Sequence, residues 1–306
     1  MTNLTGFFAA LPTPFTSDGT ALAPTPLGDL VERNLADGLT GLYVGGSTGE
    51  AFLMTIDERE QLLRLSVEAS AGKGVMIAQV GDPNPTVSAH LAKVAAKAGY
   101  HAISAVPPFY YQYSIAEVEA HYRWLATQTD LPFLIYNFPA LSGVRWSVDE
   151  LARLLEIPQV VGVKNTCADL YAFEQLRRRQ PHATLLHGFD ETLLSGLATG
   201  ADGGIGSTYN VQANRILAFA EALKNGDMDE ARALQAQSNT LIDALVQVGV
   251  LPALKYMLEQ TGIAMGACRP PFQPLTSQQR AILDTAMDLV PGSGLSQARR
   301  QSAALA

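Results

Sequence analysis

Along the first three quarters of the chain, apolar runs of three to six residues alternate with longer stretches whose apolar side chains recur every three or four positions. The runs predict strands at 7–11, 41–44, 75–80, 102–106, 133–136, 160–163, 184–187 and 203–205. The longer stretches predict helices near 25–37, 55–71, 85–98, 115–128, 148–155, 169–179 and 191–199. Three helix starts place a hydroxyl residue three positions before a glutamate: Thr55 with Glu58, Ser114 with Glu117 and Ser147 with Glu150. In each, the hydroxyl accepts from a free backbone N–H while the carboxylate reaches back to another.

Strands separated by helices give a parallel sheet, and eight is the number that closes one into a (β/α)8 TIM barrel of the α/β class. An open doubly wound sheet is the competing architecture. It expects a glycine-rich phosphate turn after the first strand, and here Leu11-Pro12-Thr13-Pro14-Phe15 follows instead. Beyond about residue 210 the strands stop, and helices follow near 211–246, 250–261 and 276–289, the first broken by Asn225-Gly226-Asp227. The expected organisation is a barrel over 1–225, a three-helix extension packed on it over 226–290, and a disordered tail over 291–306, rich in Ser, Gly, Gln and Ala.

Composition narrows the partners. With 306 residues, 47% apolar and 16% charged, the chain has the balance of an ordinary globular protein. A net charge of −8 disfavours nucleic acid and anionic membrane surfaces. The N-terminus has no basic residue before its short apolar run, and Pro12 and Pro14 interrupt that run, so neither a leader nor a membrane span is expected. Two cysteines, Cys167 and Cys268, offer neither zinc spacing nor a disulfide framework, which suits the cytoplasm. The histidines, at 90, 101, 121, 182 and 187, form no ligand pattern, so a metal-dependent reaction is not expected.

In a barrel of this kind chemistry sits at the C-terminal ends of the strands. The sixth strand runs into Lys164, the one lysine of six that directly follows a strand. Burial disfavours the ammonium, so a lysine there can become a nucleophilic free amine. A strand-end lysine turned to solvent explains the position equally well. The fifth strand ends at Tyr136, whose phenol can both donate and accept a proton; alone, it reads more simply as a core tyrosine. The second strand leads into Gly45-Gly46-Ser47-Thr48-Gly49-Glu50, where glycines admit a close backbone approach and hydroxyls with free N–H groups suit a carboxylate. The spacing is not that of a phosphate-binding P-loop. A tight turn accounts for the glycines but less well for the Ser-Thr pair. After the seventh strand come Gly188, Asp190 and Glu191, and after the eighth Ser207 and Thr208. The two acids fit either a helix N-terminus or sugar hydroxyls.

Together, Gly45-Gly46-Ser47-Thr48-Gly49-Glu50, Tyr136-Asn137-Phe138-Pro139 and Gly162-Val163-Lys164 resemble the dihydrodipicolinate synthase and N-acetylneuraminate lyase superfamily of class I aldolases, from about Gly6 to Leu289. Pro108-Phe109-Tyr110-Tyr111 and the stretch from Gly200 to Asn210 are similar to its bacterial N-acetylneuraminate lyase branch. The resemblance implies that Lys164 forms a Schiff base with a 2-keto sugar acid and releases pyruvate. Tyr136 would shuttle the proton, Ser47 and Thr48 would hold the carboxylate, and Thr166, Gly188, Asp190, Glu191 and Ser207 would recognise the sugar. Tyr110 would reach into a neighbouring subunit's site, within a homotetramer. No cofactor is implied. The synthase branch carries an arginine soon after the Tyr-Asn-x-Pro motif; here Ala140-Leu141-Ser142-Gly143 follows, with Arg145 beyond, which argues against a second carboxylate substrate. Asn165, His187 and Leu251-Pro252 depart from the lyase pattern at the sugar end. Two further readings remain open: another pyruvate aldolase or dehydratase, acting on a sugar acid or an aromatic substrate, and a non-catalytic sensor.

Overall fold

The computed structural model describes residues 3–290, so the tail expected at 291–306 lies outside the described residues. All eight predicted strands form: β1 (Gly6–Ala10), β2 (Gly41–Val44), β3 (Val75–Gln79), β4 (Ala102–Ala105), β5 (Phe133–Asn137), β6 (Val160–Asn165), β7 (Thr184–His187) and β8 (Gly203–Gly206). They pair in chain order, each pair parallel, and β8 returns to β1 to close the barrel.

The helices are α1 (Pro24–Ala36), α2 (Ile56–Ser70), α3 (Pro85–Ala98), α4 (Ile115–Ala126), α5 (Pro139–Ser142), α6 (Val148–Leu154), α7 (Leu170–Arg179), α8 (Leu193–Ala198), α9 (Tyr209–Lys224), α10 (Met228–Val248), α11 (Val250–Glu259) and α12 (Ser277–Leu289). All three predicted capping boxes are made. A fourth opens α12, where the Gln279 amide oxygen does the work of a carboxylate for Thr276. The predicted break at Asn225-Gly226-Asp227 is real: Gly226 takes φ +77°, and Asp227 accepts the Glu230 N–H to start α10. The helix predicted near 191–199 is instead a 3-10 turn, Asp190–Thr192, followed by α8.

Strand side chains alternate between two cores. Phe8, Ala10, Tyr43, Ile77, Ala102, Leu134, Tyr136, Leu186 and Ile205 fill the barrel. Their neighbours, among them Ala9, Leu42, Val44, Ala78, Ile103, Ile135 and Val163, pack outward against the helices. One irregularity matters for the site. Between β5 and β6 the register shifts, with Phe133 opposite Val160 but Leu134 opposite Gly162. The extra residue, Val161, brings Lys164 opposite Tyr136, and both point into the barrel. Without the bulge, continuing from Phe133 opposite Val160, Lys164 would fall opposite Asn137 and face the helices. On its other edge, β6 approaches β7 closely at Gly162, where a Cβ would lie 2.0 Å from the Thr184 carbonyl oxygen.

Helix α10 packs on α9, α11 and α12 and on the Asp190–Thr192 turn, so the C-terminal helices reach the mouth of the barrel. No single helix among the described residues is long and apolar enough to cross a membrane.

Candidate active site

At the C-terminal mouth of the barrel lies a cavity of about 370 Å³, lined by Ser47, Thr48, Tyr136, Lys164, Thr166, Gly188, Asp190, Glu191 and Ser207 among others. These residues come from the ends of β2, β5, β6, β7 and β8. Every site residue expected from the sequence is therefore in one place except Tyr110, which stands 86% exposed on the loop after β4.

Lys164 is buried, and its Nζ lies 4.1 Å from the centre of the Tyr136 ring and 4.0 Å from that of Tyr43. Desolvation lowers its pKa to about 7, against the Asp190 carboxylate, which pulls the other way. Burial also pushes the Tyr136 phenol up to about 12, while the Ser47 and Thr166 hydroxyls restrain the rise. At neutral pH the phenol keeps its proton and a large share of the amine has lost its own.

The hydroxyl groups are arranged around this pair. Thr48 Oγ1 and Ser207 Oγ are 2.6 Å apart, which ties the β2 turn to the end of β8. Thr166 Oγ1 is buried beside the Tyr136 phenol, with hydrogen-bonding capacity left for a ligand. Gly188 has to be glycine, because a Cβ would lie 2.0 Å from that same oxygen. Asp190 is buried, and its Oδ2 accepts both the Thr208 N–H (2.8 Å) and the Thr208 hydroxyl (2.7 Å). Burial raises its pKa to about 6 despite those two bonds. Asp190 thus braces the β8 turn as well as facing the cavity, whereas Glu191 is exposed at the rim.

The turn after β2 is held from behind. Glu50 takes a left-handed backbone conformation, φ +57°. Its carboxylate is fully buried and 2.6 Å from Lys255 Nζ of α11. Its other oxygen accepts the Arg269 backbone N–H at 2.8 Å. In sequence, Lys255 is an ordinary lysine of an amphipathic helix, and periodicity gives no sign of this pairing.

Two groups of residues about the site were missed from the sequence. Tyr43 reads as strand core; the available signal was that alternation puts it on the interior face of its strand. The roof, Ile242, Leu245, Val246, Val250 and Leu251 from α10 and α11, together with Phe138, Leu141 and Phe189, is apolar. Of these, only Phe138, Leu141 and Leu251 lie in stretches singled out from the sequence. A second, apolar cavity of about 400 Å³ opens beside the first and shares Ser47, Phe138, Leu141 and Leu251 with it; Phe52, Phe109 and Phe272 complete its walls.

A family model described as the dihydrodipicolinate synthetase family matches residues 3–289. N-acetylneuraminate lyase 2 of Escherichia coli O6:H1 is 45% identical over 280 residues, 91% of this chain and 92% of that protein. Among solved structures, CdNal from Clostridium difficile in complex with mannosamine has a TM-score of 0.92 at 34% identity, covering 94% of this chain and 100% of that one. A dihydrodipicolinate synthase from Bacillus anthracis has the same TM-score, 0.92, at 28% identity, covering 95% of this chain and 100% of that one.

Proposed function

The chain belongs to the dihydrodipicolinate synthetase family, and from that premise we propose that it is a class I aldolase reversibly cleaving N-acetylneuraminate to pyruvate and N-acetylmannosamine. The observation that carries this reading is a buried amine with a pKa of about 7, in register with a protonated phenol on the floor of a hydroxyl-lined cavity.

The free amine of Lys164 attacks the C2 ketone of the open-chain sugar acid, and the carbinolamine loses water to give an iminium. The C3–C4 electron pair then moves into the iminium as the C4 hydroxyl loses its proton and becomes the aldehyde of N-acetylmannosamine. Tyr136 relays the protons of these steps between substrate oxygen and water. The remaining enamine takes a proton at C3, and water hydrolyses the iminium to pyruvate and free Lys164. Ser47 and Thr48 hold the substrate carboxylate through hydroxyls and backbone N–H groups. Thr166, Gly188, Asp190, Glu191 and Ser207 take the sugar. The iminium is itself the electron sink, so the reaction calls for no metal or organic cofactor.

Arg145, the arginine nearest the position used by the synthase branch, is exposed and outside the cavity lining, which weighs against that activity. One observation favours a second reading: the aliphatic roof from α10 and α11 suits an aldehyde with fewer hydroxyls, such as that released by another pyruvate aldolase. A sensor without chemistry has no use for a depressed amine beside a phenol.

The same reading includes a homotetramer. Tyr110, Tyr111 and Tyr113 form an exposed edge-to-face aromatic cluster. Tyr110 holds φ +85°, a costly backbone state for a bulky residue and one that marks functional positions. In this reading the apolar cavity beside Ser47 receives a second copy's Tyr110, a role its aromatic lining supports. A cytoplasmic setting goes with this activity, and the two free cysteines suit it.

Borohydride reduction with pyruvate, followed by peptide mapping, tests the mechanism: the expected result is a reduced adduct on Lys164. Turnover of N-acetylneuraminate, compared with other 2-keto acids, tests the substrate. An active preparation left unlabelled at Lys164 would overturn the mechanism, and cleavage of other 2-keto acids alone would favour the second reading.

A further inference from the structure

We propose that Tyr43 is a positioning residue for the reaction, a wedge that fixes the Lys164 amine relative to the carboxylate-binding turn. This inference rests on the Schiff-base reading and assigns a task to a residue that reading leaves idle.

Four contacts of one fully buried side chain carry it. Lys164 Nζ lies 4.0 Å from the Tyr43 ring centre, so the amine is held between two aromatic rings, that of Tyr136 being on its other contact at 4.1 Å. The two rings meet edge to face with centres 5.9 Å apart. The hydroxyl of Tyr43 donates to Ser104 Oγ at 3.1 Å, inside the barrel, which fixes the ring from its far end. One edge of the ring lies against the turn that holds Ser47 and Thr48. A Cβ built on Gly46 would lie 2.7 Å from Tyr43 Cε1 and 3.1 Å from Cδ1. Gly46 is thus glycine because an aromatic ring occupies the space, not only because a ligand approaches its backbone. The ring therefore spans the two things a 2-keto acid must touch at once: the amine that attacks its ketone and the turn that binds its carboxylate. Holding these groups at a fixed separation is what makes attack effectively intramolecular.

The ring face also stabilises the ammonium form, opposing desolvation. The other ionisable groups that act on Lys164 are Tyr136 from β5 and Asp190 after β7. A substitution at position 43 leaves both groups present, though Tyr136 loses its edge-to-face neighbour.

The test uses the full-length protein. For Tyr43→Leu, which keeps an apolar side chain and removes the ring, the pH midpoint of borohydride trapping with pyruvate falls by about half a unit to one unit. Its pyruvate KM in the condensation direction rises about tenfold, beyond any loss in kcat. Tyr43→Phe keeps the ring and holds the midpoint at the wild-type value. Gly46→Ala alone, displacing the ring that Lys164 rests on, lowers kcat/KM at least tenfold, and Tyr43→Leu/Gly46→Ala is no worse than Tyr43→Leu, because the clash has gone. An unmoved or raised midpoint in Tyr43→Leu, or additive losses in the double variant, would overturn the proposal. Absence of trapping in the wild-type protein would instead sink the Schiff-base reading, so the two failures are distinguishable.

Discussion

At Lys164 two influences oppose each other: burial drives the proton off, the Asp190 carboxylate holds it on, and the balance falls at about 7. Attack needs the free amine, so the folded-state shift has a definite sign. Iminium formation with pyruvate is expected to rise with pH through about 7 and level off above it, losing roughly tenfold per unit on the acid side. Quenched-flow trapping across that range measures this; a flat profile would contradict the assignment. Tyr136 stays protonated throughout, its pKa being about 12. Replacing it with Phe is expected to slow kcat by about two to three orders of magnitude while Lys164 still traps pyruvate slowly, measured by steady-state kinetics and labelling in parallel. Both residues were legible because each is a polar group ending an apolar run. Tyr43 was not, since an aromatic residue within a strand is what a packed core also supplies.

At the scale of elements, the strands and capping boxes followed from periodicity, because each depends on neighbours a few positions away. The bulge at Val161 did not, since it is a relation between β5 and β6 and leaves no mark on either run alone. The Glu50–Lys255 pair was hidden for the same reason: its partners are joined only by the closure of α11 over the barrel mouth. Lys255→Met leaves a buried carboxylate without its counter-ion and is expected to destabilise the protein by about 3–5 kcal/mol. Adding Glu50→Gln should recover part of that loss, as neither charge is then stranded. Chemical denaturation of the two variants provides the comparison, and a double variant no more stable than Lys255→Met would show that the pair is not what holds the turn.

For the molecule as a whole, the eightfold alternation of strand and helix was enough to read the closed barrel, and strand ends were enough to find the polar half of the cavity. The apolar half was not readable, because Ile242, Leu245, Val246, Val250 and Leu251 come from α10 and α11, whose periodicity shows that a face is covered but not by what. The exposed Tyr110 extends the same point beyond one chain. Tyr110→Ala is expected to weaken self-association and to lower activity with it, which sedimentation velocity over a dilution series would reveal; an unchanged mass and full activity would remove Tyr110 from the neighbouring site. The anchoring of Glu50 by Lys255 and Arg269 has a consequence for biosynthesis. A ribosome will have made every proposed reacting group by the time it passes Ser207, yet Ile242, Leu251 and Lys255, which roof the cavity and seat the turn after β2, lie 35, 44 and 48 residues further on, so a nascent chain is expected to stay inert until α10 and α11 emerge from the exit tunnel.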